Sequence, residues 1–256
     1  MTLIIAITAF IASLLTLFSG FGLGTLLMPV VAIFFPVVTA IALTALVHLL
    51  NNLFKLTTFW RDINWSVSFK FGIPALLATI PGAWLLTHLS EMTIINQYQI
   101  FRINAVITPA KLTVGLLLIL FAFIEWFSFA KKVNISAKYL PWGGVLSGFF
   151  GGFSGNQGAF RSMFLLHVGL NPQQFIATNT VIAVLVDLIR LTVYGFNISL
   201  LLEQVDISLI AIASIAAFAG VFVGKIGVKK VTIGFIQNLV AIMLLLLGTL
   251  MTVGII

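Results

Sequence analysis

Residues 139–170 read YLPWGGVLSGFFGGFSGNQGAFRSMFLLHVGL, from Tyr139 to Leu170. The stretch is apolar almost throughout, yet too long for one membrane crossing and short for two, since roughly 20 helical residues span a hydrocarbon core of about 30 Å. Near its middle, Ser154-Gly155-Asn156-Gln157-Gly158 interrupts the run. Glycine inside a helix is destabilising by about 1 kcal/mol relative to alanine, so the segment reads as a broken helix. Non-helical backbone at membrane depth is tolerated only where protein or a water-filled cavity satisfies its amides and carbonyls. The break is therefore expected to line a cavity. Met1 to Phe35 is built in the same way, with Ser19-Gly20-Phe21-Gly22-Leu23-Gly24 at its interruption.

Outward from these segments the chain remains apolar. It is 61% hydrophobic and 7% charged, where a soluble domain carries about 25% charged residues to keep its surface wet. Full crossings are expected at Val38 to Phe59, Ser66 to His88, Lys111 to Phe129, Pro172 to Tyr194, Ser208 to Gly224 and Val231 to Ile255. No stretch is left for a soluble domain, so residues 1–256 form a single all-α integral membrane domain. Met1 to Phe18 lacks a basic leader region and a small-residue cleavage site, and is expected to stay in the mature protein. The 13 Lys and Arg outnumber the 6 Asp and Glu, but they are scattered through short loops rather than gathered in an aromatic-interleaved patch, which argues against nucleic acid. Cysteine is absent, excluding disulfides and thiolate metal sites.

The chain also repeats itself. Gly24 falls on Gly158, and with one later insertion Ala42-Leu43-Thr44 meets Ala177-Thr178-Asn179, and Asn52-Leu53-Phe54-Lys55 meets Asp187-Leu188-Ile189-Arg190. Repeat 1 covers residues 1–129 and repeat 2 residues 139–256, each a broken segment followed by three full helices, a duplication typical of secondary transporters. Loop charge decides whether a broken segment crosses once or doubles back. Single crossings split the loop cations evenly between the two sides. Doubling back gathers Arg61, Lys131, Lys132, Lys138, Lys225, Lys229 and Lys230 on one side and leaves Arg102 opposite, as the positive-inside bias requires. A hairpin of two complete helices gives the same sidedness. The expected architecture is thus two inverted repeats, basic loops in the cytoplasm and both termini outside it.

In the re-entrant form, the second arms, Thr25 to Phe35 and Ala159 to Leu170, start near the midplane with their N-termini pointing inward. A helix N-terminus presents unpaired N–H groups and about half a positive charge, so two that converge create an anion site. Gly20, Gly22, Gly24, Gly155 and Gly158 would let a ligand approach the backbone, with Asn156 and Gln157 beside them. Arg161, in the first turn of the second arm, offers a fork of donors suited to an oxyanion and is the leading substrate contact. The alternative is that it pairs with a carbonyl or with Asp187 and only holds the hairpin. Asp187 and Arg190, three apart on one helical face, can pair or, with Asp187 as the titrating group, couple transport to protons. Asn52 is the counterpart of Asp187. Lys55 and Arg190, about one turn from their helix ends, read as substrate contacts, structural pairs or snorkelling cations. His48 reads as a satisfied core histidine or a proton relay, and Glu125 and Trp126 as interfacial anchors.

Three well-separated histidines supply no metal or acid–base cluster for a membrane-embedded enzyme, and no cofactor is implied. The phosphate-cradling Gly-x-x-x-x-Gly-Lys-Ser/Thr loop is missing as well. A passive anion channel would share the same glycine-lined, cationic site.

Residues Ser154-Gly-Asn-Gln-Gly-Ala-Phe-Arg-Ser-Met-Phe-Leu165, with Ala177-Thr-Asn-Thr180 and Asp187-Leu-Ile-Arg-Leu191, resemble the second-half signature of the TauE/SafE sulfite exporter family of permeases. Gly22-Leu-Gly-Thr-Leu-Leu-Met-Pro29 resembles the family's first-half glycine run, with Leu23 interrupting it. The resemblance implies transport, without ATP, of a small sulfur-containing anion such as sulfite or an organosulfonate across a prokaryotic plasma membrane, the partners being the anionic solute and the lipid bilayer.

Overall fold

The computed structural model describes residues 1–17, 22–100, 103–127, 135–195, 205–227 and 233–256. Gly20 and the loop cations Arg102, Lys131, Lys132, Lys229 and Lys230, on which much of the orientation argument rests, lie outside the described residues.

Each apolar run becomes helix and each break interrupts one. The first run forms α1 (Thr2–Thr16) and α2 (Gly24–Ala32), followed by α3 (Val37–Phe59), α4 (Trp65–Ser90) and α5 (Pro109–Trp126). The second run forms α6 (Leu140–Ser154) and α7 (Gly158–Leu165), followed by α8 (Pro172–Tyr194), α9 (Ile207–Gly227) and α10 (Ile233–Thr252). Local sequence sets several ends. Asn171 and Gln174 form a reciprocal capping box ahead of Pro172 at the start of α8, Thr108 caps α5, and Asn64 caps α4. Five helices, α3, α4, α5, α8 and α9, are long and apolar enough to cross a membrane.

One element departs from the expected helices. Between α4 and α5 the chain pairs β1 (Asn96–Ile100) with β2 (Ile103–Ile107) as an antiparallel hairpin, Asn96 opposite Ile107. The hairpin lies against the end of α10, where Tyr98 Oη donates to the Val253 carbonyl at 2.6 Å and the Val106 N–H to the Gly254 carbonyl at 2.8 Å.

Packing follows from small residues, which let helix backbones approach where lipid supplies no hydrophobic drive for association. On α6, Gly144, Gly148 and Gly152 face Phe71, Ala75 and Thr79 of α4 in the same order, so these helices run parallel, with no room for a methyl at any of the three. Gly220 and Gly224 of α9 likewise meet Phe10 and Leu14 of α1, again in parallel. Two other pairs run antiparallel. Gly115 of α5 meets Gly248 and Thr252 of α10, whose far end reaches Val106 ahead of α5. His48 of α3 meets Asp187 of α8, while Asn64 beyond α3 meets Thr178 near the start of α8.

The second break folds its arms together. Phe164 of α7 covers Gly143 near the start of α6, and Gln157 covers Gly151 near its end, so α7 returns along α6. Gly155 ends α6 in the left-handed region at φ 78°, which a side chain occupies only at a cost of about 1–2 kcal/mol. The outer surface is apolar, with Leu77, Trp84, Leu116, Leu120, Phe222 and Leu246 exposed, while Lys55, Arg161, Asp187 and Arg190 are buried. That inversion of the soluble pattern is the signature of a chain whose surroundings are hydrocarbon.

Candidate functional site

Both breaks meet at the centre of the bundle. A methyl placed on Gly24 would lie 3.9 Å from the Gly155 carbonyl and 3.6 Å from Thr44 Cγ2, and one on Gly22 would lie 2.8 Å from His48 Nε2. Gly22 itself has φ 85°. The first break therefore abuts α3 and the second break together.

Polar side chains converge there along two helical faces. On α3, His48, Asn52 and Lys55 follow at spacings of four and three residues, and on α8, Asn179, Asp187 and Arg190 follow at eight and three, so each set projects from one side of its helix. Antiparallel packing of α3 on α8 then sets the two faces against each other. Asp187 is the hub. Its Oδ2 lies 2.6 Å from His48 Nδ1, and its Oδ1 lies 2.7 Å from Arg190 Nη2 and accepts from Gln157 Nε2 at 3.2 Å. Asn52 Nδ2 approaches the His48 ring at 3.1 Å, and Arg190 Nη1 also donates to the Gly151 carbonyl at 3.3 Å.

Arg161 projects from the first turn of α7, which the second break delivers to the same place. It is 1% exposed. Its Nη1 donates to Gln157 Oε1 at 3.0 Å, and its Nε donates to Asn179 Oδ1. Both acceptors are neutral, and Arg161 makes no ion pair among the described residues.

The sequence reading placed most of these residues correctly as neighbours but not their surroundings. Lys55 and Arg190 do not snorkel. They are 4% and 1% exposed, because a helix packed on every side leaves a long side chain no route to the interface. Glu125 is no interfacial anchor either, being buried while Trp126 is exposed. Asn156 Nδ2 turns back onto the Ser154 carbonyl at 3.3 Å and helps hold the break. Three participants were missed: Asn179, which holds Arg161; Tyr194, whose hydroxyl donates to the Gly152 carbonyl; and Thr44, whose buried hydroxyl has no hydrogen-bond partner among the described residues. Asn179 was findable, standing two turns before Asp187 on the same face.

An apolar-surfaced helical bundle with charged side chains collected at its centre, between broken helices, is a polytopic membrane protein of the transporter class. The family model described as Sulfite exporter TauE/SafE matches residues 5–251, nearly the whole chain, and the chain belongs to that family. It is thus a membrane transporter of the sulfite/anion exporter type. No curated protein matches it.

Proposed function

We propose that this chain is a secondary permease carrying a small sulfur-containing anion, such as sulfite or an organosulfonate, across the prokaryotic plasma membrane in exchange or symport with protons. The observation that carries the reading is Arg161: a guanidinium 1% exposed, held by neutral oxygens alone and delivered between two helix breaks. A buried charge without a counter-charge is costly, and an anionic guest gripped by the guanidinium fork offsets that cost. The glycines of both breaks, namely Gly22, Gly24, Gly155 and Gly158, supply backbone N–H groups to the guest. Asn52, Gln157, Lys55 and Arg190 complete its surroundings, and Gly20 belongs to the same tip.

Coupling is assigned to His48 and Asp187. Their 2.6 Å contact joins α3 to α8, so a proton taken up or released there alters the bond between the repeats. Reciprocal packing supports the inverted-repeat architecture of residues 1–129 and 139–256. The first arm of each repeat, α1 or α6, runs beside the second full helix of the other, α9 or α4, and the corresponding pairs α3–α8 and α5–α10 are antiparallel. Helices exchanged by a two-fold axis and antiparallel to their partners require that axis to lie across the helices, in the membrane plane. Basic loops then face the cytoplasm and both termini face outside.

The test is uptake of labelled sulfite or sulfoacetate into proteoliposomes under an imposed pH gradient. Wild type should accumulate the anion against its gradient, and Arg161→Ala should abolish uptake while inserting normally. Undiminished transport by Arg161→Ala would remove the residue from the site, and flux that merely dissipates the anion gradient would mark a channel.

A further inference from the structure

The buried charges around the breaks do not balance. Asp187 is the one carboxylate in the cluster, and its contacts are His48, Arg190 and Gln157. It offsets Arg190. Arg161 bonds only to the amide oxygens of Gln157 and Asn179. Lys55, 4% exposed, makes no hydrogen bond or ion pair among the described residues, and its ammonium stands close enough to Arg161 for the two cations to repel. Glu125, the other buried carboxylate on the described helices, pairs with none of these cations. With His48 neutral, Lys55, Arg161 and Arg190 against Asp187 leave two positive charges uncompensated inside the bundle.

Lys55 is also the repeat counterpart of Arg190, but it lacks the partner that Arg190 has, because Asn52 stands where Asp187 stands in the other half. One half of the pseudo-symmetric pair is neutralised internally and the other is not. A stranded ammonium in a low-dielectric interior is among the costlier arrangements a protein can hold. A guest with two negative charges removes both stranded cations at once, and a guest with one leaves the ammonium or the guanidinium unmatched.

Building on the permease reading above, we propose that the transported anion is bound as a dianion, its charge divided between Arg161 and Lys55, and that Lys55 sets the preference for dianions over monoanions of the same shape. The chemical class is a doubly charged sulfur oxyanion or a small sulfonate bearing a carboxylate.

Sulfate and methanesulfonate are both tetrahedral and differ in charge, and sulfoacetate and ethanesulfonate form a longer pair with the same difference. Binding of each to the purified full chain in nanodiscs at neutral pH is measured by calorimetry, with thermal stabilisation as a second readout. In at least one pair, wild type should bind the dianion about tenfold or more tighter than the monoanion, the scale on which an unmatched buried charge acts. This runs against the general trend, because a dianion is harder to strip of water. Lys55→Gln should bring the two affinities within about threefold, and Lys55→Arg should keep the wild-type preference. A wild type that binds the monoanions as tightly overturns the inference whether or not the variants fold, and so does a Lys55→Gln protein that keeps the wild-type ratio. If no member of either pair binds wild type, the permease reading itself fails.

Discussion

Asp187 and Arg190 provide the sharpest energetic test of the buried network. Asp187→Ala removes the acceptor for His48 at 2.6 Å, Arg190 at 2.7 Å and Gln157 at 3.2 Å. It strands the Arg190 guanidinium, 1% exposed, with the Gly151 carbonyl at 3.3 Å as its remaining hydrogen-bond acceptor. Removing one partner of a buried ion pair costs about 3–5 kcal/mol, whereas replacing both by apolar groups is often close to neutral. Arg190→Leu should also destabilise, since it leaves the carboxylate with His48 and Gln157 alone. The double variant Asp187→Ala/Arg190→Leu strands neither charge, so its loss should fall below the sum of the single losses by about 2–3 kcal/mol. Reversible unfolding in mixed micelles with increasing dodecyl sulfate, followed by tryptophan fluorescence, supplies the four stabilities. Additivity within about 0.5 kcal/mol would refute the reasoning, because it would mean that the two charges are stabilised independently.

Gly148→Ala should destabilise by about 1–3 kcal/mol through overpacking, because the methyl meets the Ala75 carbonyl on α4. Gly234→Ala, where a methyl meets nothing within 4 Å, should gain about 0.5–1 kcal/mol from its helical position, and the same unfolding assay compares the pair. His48→Gln should retain downhill anion flux but lose accumulation driven by a pH gradient. Full pH-driven accumulation by that variant would take His48 out of the coupling path. Because the chain has no cysteine, Lys131→Cys and Lys229→Cys introduce unique labels. Both should react with an impermeant maleimide only when the cytoplasmic face is open to the reagent, and labelling from outside would reverse the orientation.

Features that depend on near neighbours could be read directly from the chain. The breaks at Ser154–Gly158 and in the first repeat follow from glycine and polar residues inside apolar runs, and five of the expected crossings correspond to apolar helices of spanning length. The Asp187–Arg190 pair, three residues apart, follows from helical geometry alone, and Arg161 stands out because a charge inside such a run demands a reason. What depends on distant neighbours could not be read in this way. The His48–Asp187 contact joins residues 139 apart and exists because α3 and α8 pack antiparallel with their polar faces together. The same packing buries Lys55, which on an isolated helix could reach the membrane surface. Glycine spacing on α6 announced a close helix partner but not that the partner is α4, since a gap in side-chain volume is matched by whichever backbone the fold brings to it. Charge balance at the site belongs to that same level: each cation is visible one at a time in the sequence, but which of them lacks a counter-charge is a property of the assembled bundle.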